Sequence, residues 1–485
     1  MVMKSIWNSV KDADMTKSLK KDLVCDIVVV GGGIAGILTA YHLSQNSQRV
    51  TLIEASTLFS GVTHNTTAHM DAMQGYKYDS IKNNSSITDA TLYFNSQIKA
   101  IRDYESIIKK EKINCDFMRA DSFMYTIQQK DKLQKEYQVL KDIGADVEFE
   151  QNVDMLNFPV DAAIKLSNQA HFNPIKFLNG LPKKFDIVEN TRIIKVDTKN
   201  KILYTSSNKI TANKIIVATG YPIIDVPGWY FLRMYKSHSY SIAIEGGNIN
   251  AVYQSDMDNG LTFRPYDNKV IIGGLDHRSG RVNSNDKFTR LGEIAKRSFG
   301  EIEVTHRWSA NDCITFDGVP YAGYYSKKSK DIFIITGFNK WGMTNSMACS
   351  KLISDMIAGK ENDYEKLFSP QRKWFEFTPF MKNTAHTVKN LIVKPIIPPI
   401  KTPNSLQPGT GAILFYKGSK KAIYKDKDGN LYVSNALCPH LKCQLQFNPN
   451  TITWDCPCHG SRFDIYGNII VSPAVGELNT DIVKE

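Results

Sequence analysis

The sequence predicts an α/β (α+β) main body followed by a smaller C-terminal unit, and three observations carry that prediction. A short buried-strand pattern, Ile27 to Val30, runs into GGGIAG (Gly31 to Gly36), then into a helix-like run through Leu43 and a second strand, Val50 to Ile53, ending at Glu54. Strand and helix patterns stay interleaved up to about residue 375. Beyond that point the texture changes, and four of the eight cysteines, Cys438, Cys443, Cys456 and Cys458, fall within 21 residues.

Length and composition bound the possibilities. A chain of 485 residues accommodates about three domain-sized units, or one large enzyme with an appendage. With 42% hydrophobic and 22% charged residues it reads as folded and globular. No apolar stretch approaches the roughly 18 to 20 residues of a spanning helix, so no transmembrane segment is expected. The start, MVMKSIWNSVKDADMTKSLKKD, has neither the apolar core of a secretory signal nor a twin arginine, and the expected location is cytoplasmic. The net charge of +11 is spread rather than gathered into a basic arm at either end, so no nucleic-acid partner is expected. Eight cysteines are too few for a disulfide-stapled secreted scaffold.

In G-x-G-x-x-G, Gly31 permits the tight turn, Gly33 lets the backbone approach a pyrophosphate, and Gly36 lets the helix pack on the sheet. The helix N-terminus at Ile34 and Ala35 offers N–H groups and the positive end of a dipole to phosphates. Glu54, 18 residues after Gly36, suits a ribose hydroxyl and opposes a 2′-phosphate. Between about 90 and 145, Leu92, Phe94, Ile98, Ile101, Tyr104 and Ile107 keep helical spacing, and a second helix surrounds Leu133, Tyr137 and Leu140; both are expected in a lid or substrate layer. A strand at Ile215 to Ala218 closes on Thr219 and Gly220, strands follow near 262 and 270, and another at Ile332 to Ile335 ends in TGFNKWGM. Residues 377 to 400 hold Lys382, Lys389 and Lys394 but no acid, and Pro395, Pro398, Pro399, Pro403 and Pro408 mark a stiff connector. Met381, Ala385, Val388 and Ile392 give a short helix an apolar face with a basic flank, suited to docking on the preceding domain or to touching a membrane.

No second G-x-G-x-x-G occurs, so one tightly held dinucleotide, FAD or NAD, is expected. Beyond Glu54 and Ala55 the chain reads STLFSGVTHNTTAHMD, then IIVATG (215 to 220), WSANDCITFDGVPYAG (308 to 323) and TGFNKWGMTNSMA (336 to 348). Together these segments resemble the flavin-dependent oxidoreductases of the D-amino-acid oxidase, glycine oxidase and sarcosine oxidase superfamily over roughly residues 20 to 375. The resemblance implies a Rossmann-like FAD-binding domain over 20–375, interleaved with a substrate layer around 75–150 and 225–310. It places Ser60 to Ala68, with Thr63, Thr66 and Thr67, around the flavin end, Gly220 in the cofactor site, and Gly337, Trp341, Gly342 and Met343 before a helix whose N-terminus faces the flavin. Some relatives attach FAD through a histidine in G-x-T-W-H; here His64 falls one position early and Asn65 takes the linking place, so FAD is expected to be non-covalent. His64 and His69 are then ordinary polar residues near the cofactor.

The C-terminal run CPHLKC, with CPCHGSRFD starting at Cys456, pairs Cys438 with His440 and Cys456 with His459 across fifteen residues. Two loops, each offering a thiolate and an imidazole, suit a 2Fe-2S centre in which one iron takes both cysteines and the other both histidines. A structural zinc site prefers C-x2-4-C knuckles, and these spacings do not supply them. The segment resembles Rieske domains over 405–485, which implies a small all-β domain joined through the 376–404 helix and Pro-rich linker. The same resemblance implies a disulfide between Cys443 and Cys458; two free thiols are the alternative. It also gives Ser461 a hydrogen bond to a cluster sulfur, whereas Phe463 stands where high-potential relatives carry a tyrosine, which predicts a lower potential.

A flavin takes two electrons and a Rieske centre one, so their fusion suggests an enzyme that oxidises a small amine or amino acid at FAD and passes electrons through the cluster to a redox partner protein or quinone-like acceptor. The alternative is a module relaying electrons between protein partners without an organic substrate, or a flavin kept as a structural element. Catalytic candidates are Arg264 in FRPY, to grip a carboxylate or to serve a structural pairing, and His277 in GGLDHR, an acid–base group or a polar loop residue. Trp341 and Lys340 could wall the pocket or meet the flavin.

Overall fold

A computed structural model describes residues 3–9, 18–224, 226–256, 260–282, 286–373 and 405–483. The helix expected at 381–392 and the 376–404 linker lie outside the described residues. The longer helices are α1 (Ile34–Gln45), α2 (Lys77–Asn84), α3 (Ile87–Glu111), α4 (Lys130–Asp142), α5 (Pro174–Gly180), α6 (Lys287–Phe299) and α7 (Gly342–Ile357). None of the described helices is long and apolar enough to cross a membrane.

The first sheet has eight strands. Its main order is Tyr321–Ser326, Ser329–Thr336, Lys209–Gly220, Leu23–Val30, Val50–Ile53 and Asp186–Val188. Four of its neighbouring pairs are parallel, in register Val30 to Ile53 and Val30 to Val217. A parallel sheet buries both faces, which is why the strands read as unbroken β-branched runs instead of alternating. Helix α1 packs against α7, and α3 lies on α7 in turn: Tyr104 donates to Met343 O at 3.0 Å and Gln97 Nε2 to Asn345 Oδ1 at 3.1 Å. The periodic residues Phe94, Ile101, Tyr104 and Ile107 are buried in that contact, so α3 belongs to the layer behind the cofactor-binding sheet and not to a lid.

The second sheet has nine strands in the main order Glu303–Thr315, Met234–Glu245, Lys269–Arg278, Thr262–Tyr266, Val252–Ser255, Met118–Thr126, Phe158–His171 and His69–Met70, and Val147–Met155 pairs onto Phe158–His171. Its strands therefore come from both sides of the Lys209–Gly220 strand, which interleaves the two sheets in sequence. The C-terminal unit is two four-stranded antiparallel sheets around Leu445, Trp454, Phe463 and Ala474.

One strand joins the two units. Along Met234–Glu245 successive side chains point to opposite faces. Lys236, His238 and Tyr240 meet the C-terminal unit, where Lys236 Nζ donates to Ser472 O and Asn448 Nδ2 donates to the Tyr240 hydroxyl at 3.2 Å. Tyr235 and Ser237 line a cleft on the other face. Burial of so many polar groups is tolerated because they satisfy one another: Arg462 bonds Asp455 at 3.0 Å and reaches across to Asn311 Oδ1 at 2.8 Å.

Candidate active site and metal centre

The glycine loop is shaped by close approach. Gly31 sits at φ 114°, and a Cβ there would lie 2.5 Å from Ala218 O; a Cβ on Gly36 would lie 1.8 Å from Gly31 O. Only glycine fits either place. Helix α1 starts at its N-cap Gly33 with no side-chain cap, leaving the positive end of its dipole at the turn. Ile34 N–H donates to Thr63 Oγ1 at 3.0 Å, which ties the Ser60 to Ala68 loop to the helix start. Glu54, at the end of its strand, accepts from Gly32 N–H at 2.6 Å and Ser56 N–H at 2.8 Å, so its carboxylate and Ala55 border the same turn. Each of its oxygens keeps a second lone pair for a ribose hydroxyl. The uncapped helix, the glycine cradle and the acidic strand end fit a dinucleotide.

Two tryptophans fasten the next loop, Trp7 Nε1 to Thr66 O at 2.8 Å and Trp308 Nε1 to Asn65 O at 3.0 Å. Thr67 rests beside Gly273 of the second sheet, so the loop spans both sheets. Opposite lie Gly220, at φ 76° with open space around it, and Gly337, also at φ 76°. Asn339 locks this second loop: its Oδ1 accepts from Thr315 N–H at 2.8 Å and its Nδ2 donates to Gly337 O at 2.7 Å. Trp341 is the N-cap of α7 and provides no side-chain cap, so Gly342 and Met343 begin a second open helix end.

Beside this loop is a cleft of ≈ 430 Å³, lined among others by Gln74, Tyr76, Tyr235, Ser237, Asp276, Phe316 and Lys340. Lys340 Nζ pairs with Asp276 at 2.6 Å, and Ser237 Oγ donates to the same carboxylate at 3.2 Å. Asp312 pairs with Ser237 across the sheet and so shares its face; burial pushes its carboxyl up to about 6, with Lys340 opposing.

The other expected catalytic residues lie elsewhere. Arg264 is fully buried and donates to the carbonyls of Ala68 at 2.6 Å and Phe172 at 3.3 Å, beneath Trp7. It is not among the residues lining the cleft. His277 is on the face turned to the C-terminal unit, with Nε2 2.9 Å from the Tyr240 hydroxyl and Nδ1 2.8 Å from Arg278 O. His64 Nε2 contacts Asn8 Oδ1 at 2.9 Å, and His69 is buried in its strand. Asp276 in GGLDHR and Asp312 in WSANDC were missed because only strand pairing brings Asp276 to the cleft and sets Asp312 on the sheet face of Ser237.

In the C-terminal unit two loops converge. Cys438 N–H donates to Cys443 O at 2.9 Å in one, and Cys456 N–H to Ser461 O at 2.8 Å in the other. Cys443 and Cys458 form a disulfide that ties them together, as the resemblance implied. Cys438 and Cys456 are both free and buried. The His440 and His459 rings stand 5.1 Å apart between centroids at 87°. His459 is 1% exposed with neither ring nitrogen hydrogen-bonded, and burial lowers it to about 3. A buried neutral imidazole without a protein partner, beside two buried thiols, has the donor chemistry a mixed Cys/His iron site needs. Ser461 is buried and accepts from Ala474 N–H at 3.0 Å.

The chain is similar to known proteins in both of its units. The family of FAD dependent oxidoreductases matches residues 26–356, and the Rieske [2Fe-2S] domain matches residues 398–481. A Bacillus subtilis (strain 168) chain, provisionally named Rieske 2Fe-2S iron-sulfur protein YhfW, is 30% identical over 97% of this chain and 96% of its own length. Glycine oxidase from Geobacillus kaustophilus shares the fold with a TM-score of 0.61 at 18% identity, covering 72% of this chain and 99% of that one. L-proline dehydrogenase from P. horikoshii also has a TM-score of 0.61, at 15% identity, covering 72% and 97%. The chain thus belongs to the FAD dependent oxidoreductase family, an oxidoreductase that uses FAD and carries a C-terminal Rieske 2Fe-2S domain.

Proposed function

We propose that the chain oxidises a small amine or amino-acid-like substrate in the cleft beside Lys340 and passes the electrons singly through the cluster to a redox protein or quinone-like acceptor. One observation carries the reading. Consecutive residues of a single strand, Lys236 and Ser237, face the cluster-bearing unit and the cleft respectively, which supports a reading with both redox sites against one sheet. The likeness to glycine oxidase and L-proline dehydrogenase supports a small nitrogenous substrate.

When bound, FAD takes two electrons from an organic donor and a Rieske cluster carries one. The chain's own residues do the rest. Gly31, Gly33 and Gly36 with the start of α1 at Ile34 and Ala35, where the Ala35 N–H faces the turn and Ile34 N–H fixes Thr63, hold the pyrophosphate, Glu54 the ribose, and Thr63, Thr66 and Thr67 the flavin end. Gly220, Gly337, Gly342 and Met343 border its far side, without a covalent link at His64. Asp276 is held by Lys340 in the cleft, and the carboxylate of Asp312, on the sheet face of Ser237, can take the ammonium proton at neutral pH. Arg264 holds Ala68 in place for the flavin loop, Trp341 starts α7, and His277 orients Tyr240 beneath the C-terminal unit. Cys438, Cys456, His440 and His459 ligate the iron.

The test is anaerobic titration of the holoprotein with amines and amino acids, following flavin absorbance and the paramagnetic resonance of the cluster together. Substrate-dependent bleaching of the flavin with appearance of a reduced-cluster signal is expected. Bleaching without any cluster signal would remove the proposed electron route.

A further inference from the structure

We propose that Lys236 and Arg278, two cations of the FAD-binding body, raise the reduction potential of the cluster by bonding the carbonyls that brace its second ligand loop. Lys236 Nζ donates to Ser472 O, and Arg278 Nη2 donates to Cys458 O at 3.2 Å. Neither contact exists within the C-terminal unit alone; both come from the neighbouring sheet.

The approach is as close as the chain allows. A Cβ on Gly460 would lie 2.5 Å from Lys236 Cβ, and one on Gly280 would lie 2.5 Å from Pro457 N. The loop CPCHGS is therefore pressed against the sheet, and Lys236, 4% exposed, is sealed beneath it. Lys236 forms no ion pair among the described residues, and it keeps its charge below about 8. Arginine keeps its charge throughout the physiological range. The nearby carboxylate of Asp455 is offset by its own partner, Arg462, at 3.0 Å.

Reduction adds one electron to the cluster. In a buried, low-dielectric setting two cations stabilise that added negative charge, and their hydrogen bonds to the Cys458 and Ser472 carbonyls offset the partial negative charge of those oxygens. Potential is thus set partly by residues more than 150 positions away in sequence. The inference rests on the cluster and not on the substrate, so it can fail while amine oxidation stands, and the reverse.

The test is a redox titration of the full chain with both cofactors bound and no substrate, followed by paramagnetic resonance. Lys236→Met and Arg278→Gln are each expected to lower the equilibrium constant for one-electron reduction about tenfold, or ~59 mV. Unchanged g-values report an intact ligand set, Lys236→Arg retains the wild-type midpoint, and Lys417→Met, on an exposed turn, shifts nothing. Should Lys236→Met fail to hold the cluster, Arg278→Gln and Lys236→Arg decide the matter. Midpoints that stay put or rise in the variants with intact signals overturn the proposal.

Discussion

At Ser461 a single hydroxyl joins loop packing to redox behaviour. Its oxygen accepts from Ala474 N–H at 3.0 Å, which leaves the hydroxyl hydrogen for a cluster sulfur, the role the resemblance to Rieske domains implies. A donor to sulfur favours the more negative, reduced cluster, so Ser461→Ala is expected to lower the midpoint with the optical spectrum preserved; an unmoved midpoint in an optical titration counts against the bond. Asp312 makes a different kind of prediction. Its carboxyl lies near 6 because burial disfavours the charged form, so the proton-accepting carboxylate prevails above that pH and is lost below it. Substrate-dependent flavin reduction should rise with pH through about 6, and Asp312→Asn should be slower and lack that limb. The ligands Cys438, His440, Cys456 and His459 could be read from the sequence because they fall in two short runs. Asp276 and Asp312 could not, since the pairing that unites them runs through the sheet register.

Helix α2 shows how an element can depend on a residue far from it. Glu136 of α4, fully buried, accepts from Tyr78 N–H at 2.8 Å and Asp79 N–H at 2.9 Å, serving as the cap that α2 lacks in its own sequence. Glu136→Ala should cost roughly 1 to 3 kcal/mol in denaturant unfolding, the range for a buried donor left unpaired. The segment after α7 is held in the same manner by Arg372, whose guanidinium pairs with Asp317 at 2.7 Å, both side chains nearly inaccessible. Removing one charge strands the other, so Asp317→Ala should destabilise by about 3 to 5 kcal/mol, while a loss under 1 kcal/mol would mean that water reaches the site. Helical period exposed α1 and α3 in the sequence, and the β-branched runs exposed the parallel strands. Three-residue strands such as Ile469–Val471 carry too short a pattern to be read.

On the scale of the whole molecule, the C-terminal unit is docked through buried polar groups that bond across the boundary. Asn448 and His238, 210 residues apart, meet within 3.3 Å, and Arg462 reaches Asn311 across the boundary. Sequence patterns announced two units and a connector but said nothing of the face on which they meet, because polar residues on a strand look solvated until a partner covers them. Such an interface makes the two units unfold together, for separating them leaves Arg462 without Asn311 and Asn448 without Tyr240. Asn311→Ala deletes one acceptor for a buried guanidinium, at a cost of roughly 1 to 3 kcal/mol to docking. Because Arg462 keeps Asp455, the C-terminal unit itself should still fold and hold its cluster. Calorimetry of the full chain is therefore expected to turn one transition into two, the lower coinciding with loss of the cluster signal. A variant that still melts in a single step at the wild-type temperature would show that the two units hold together by other means.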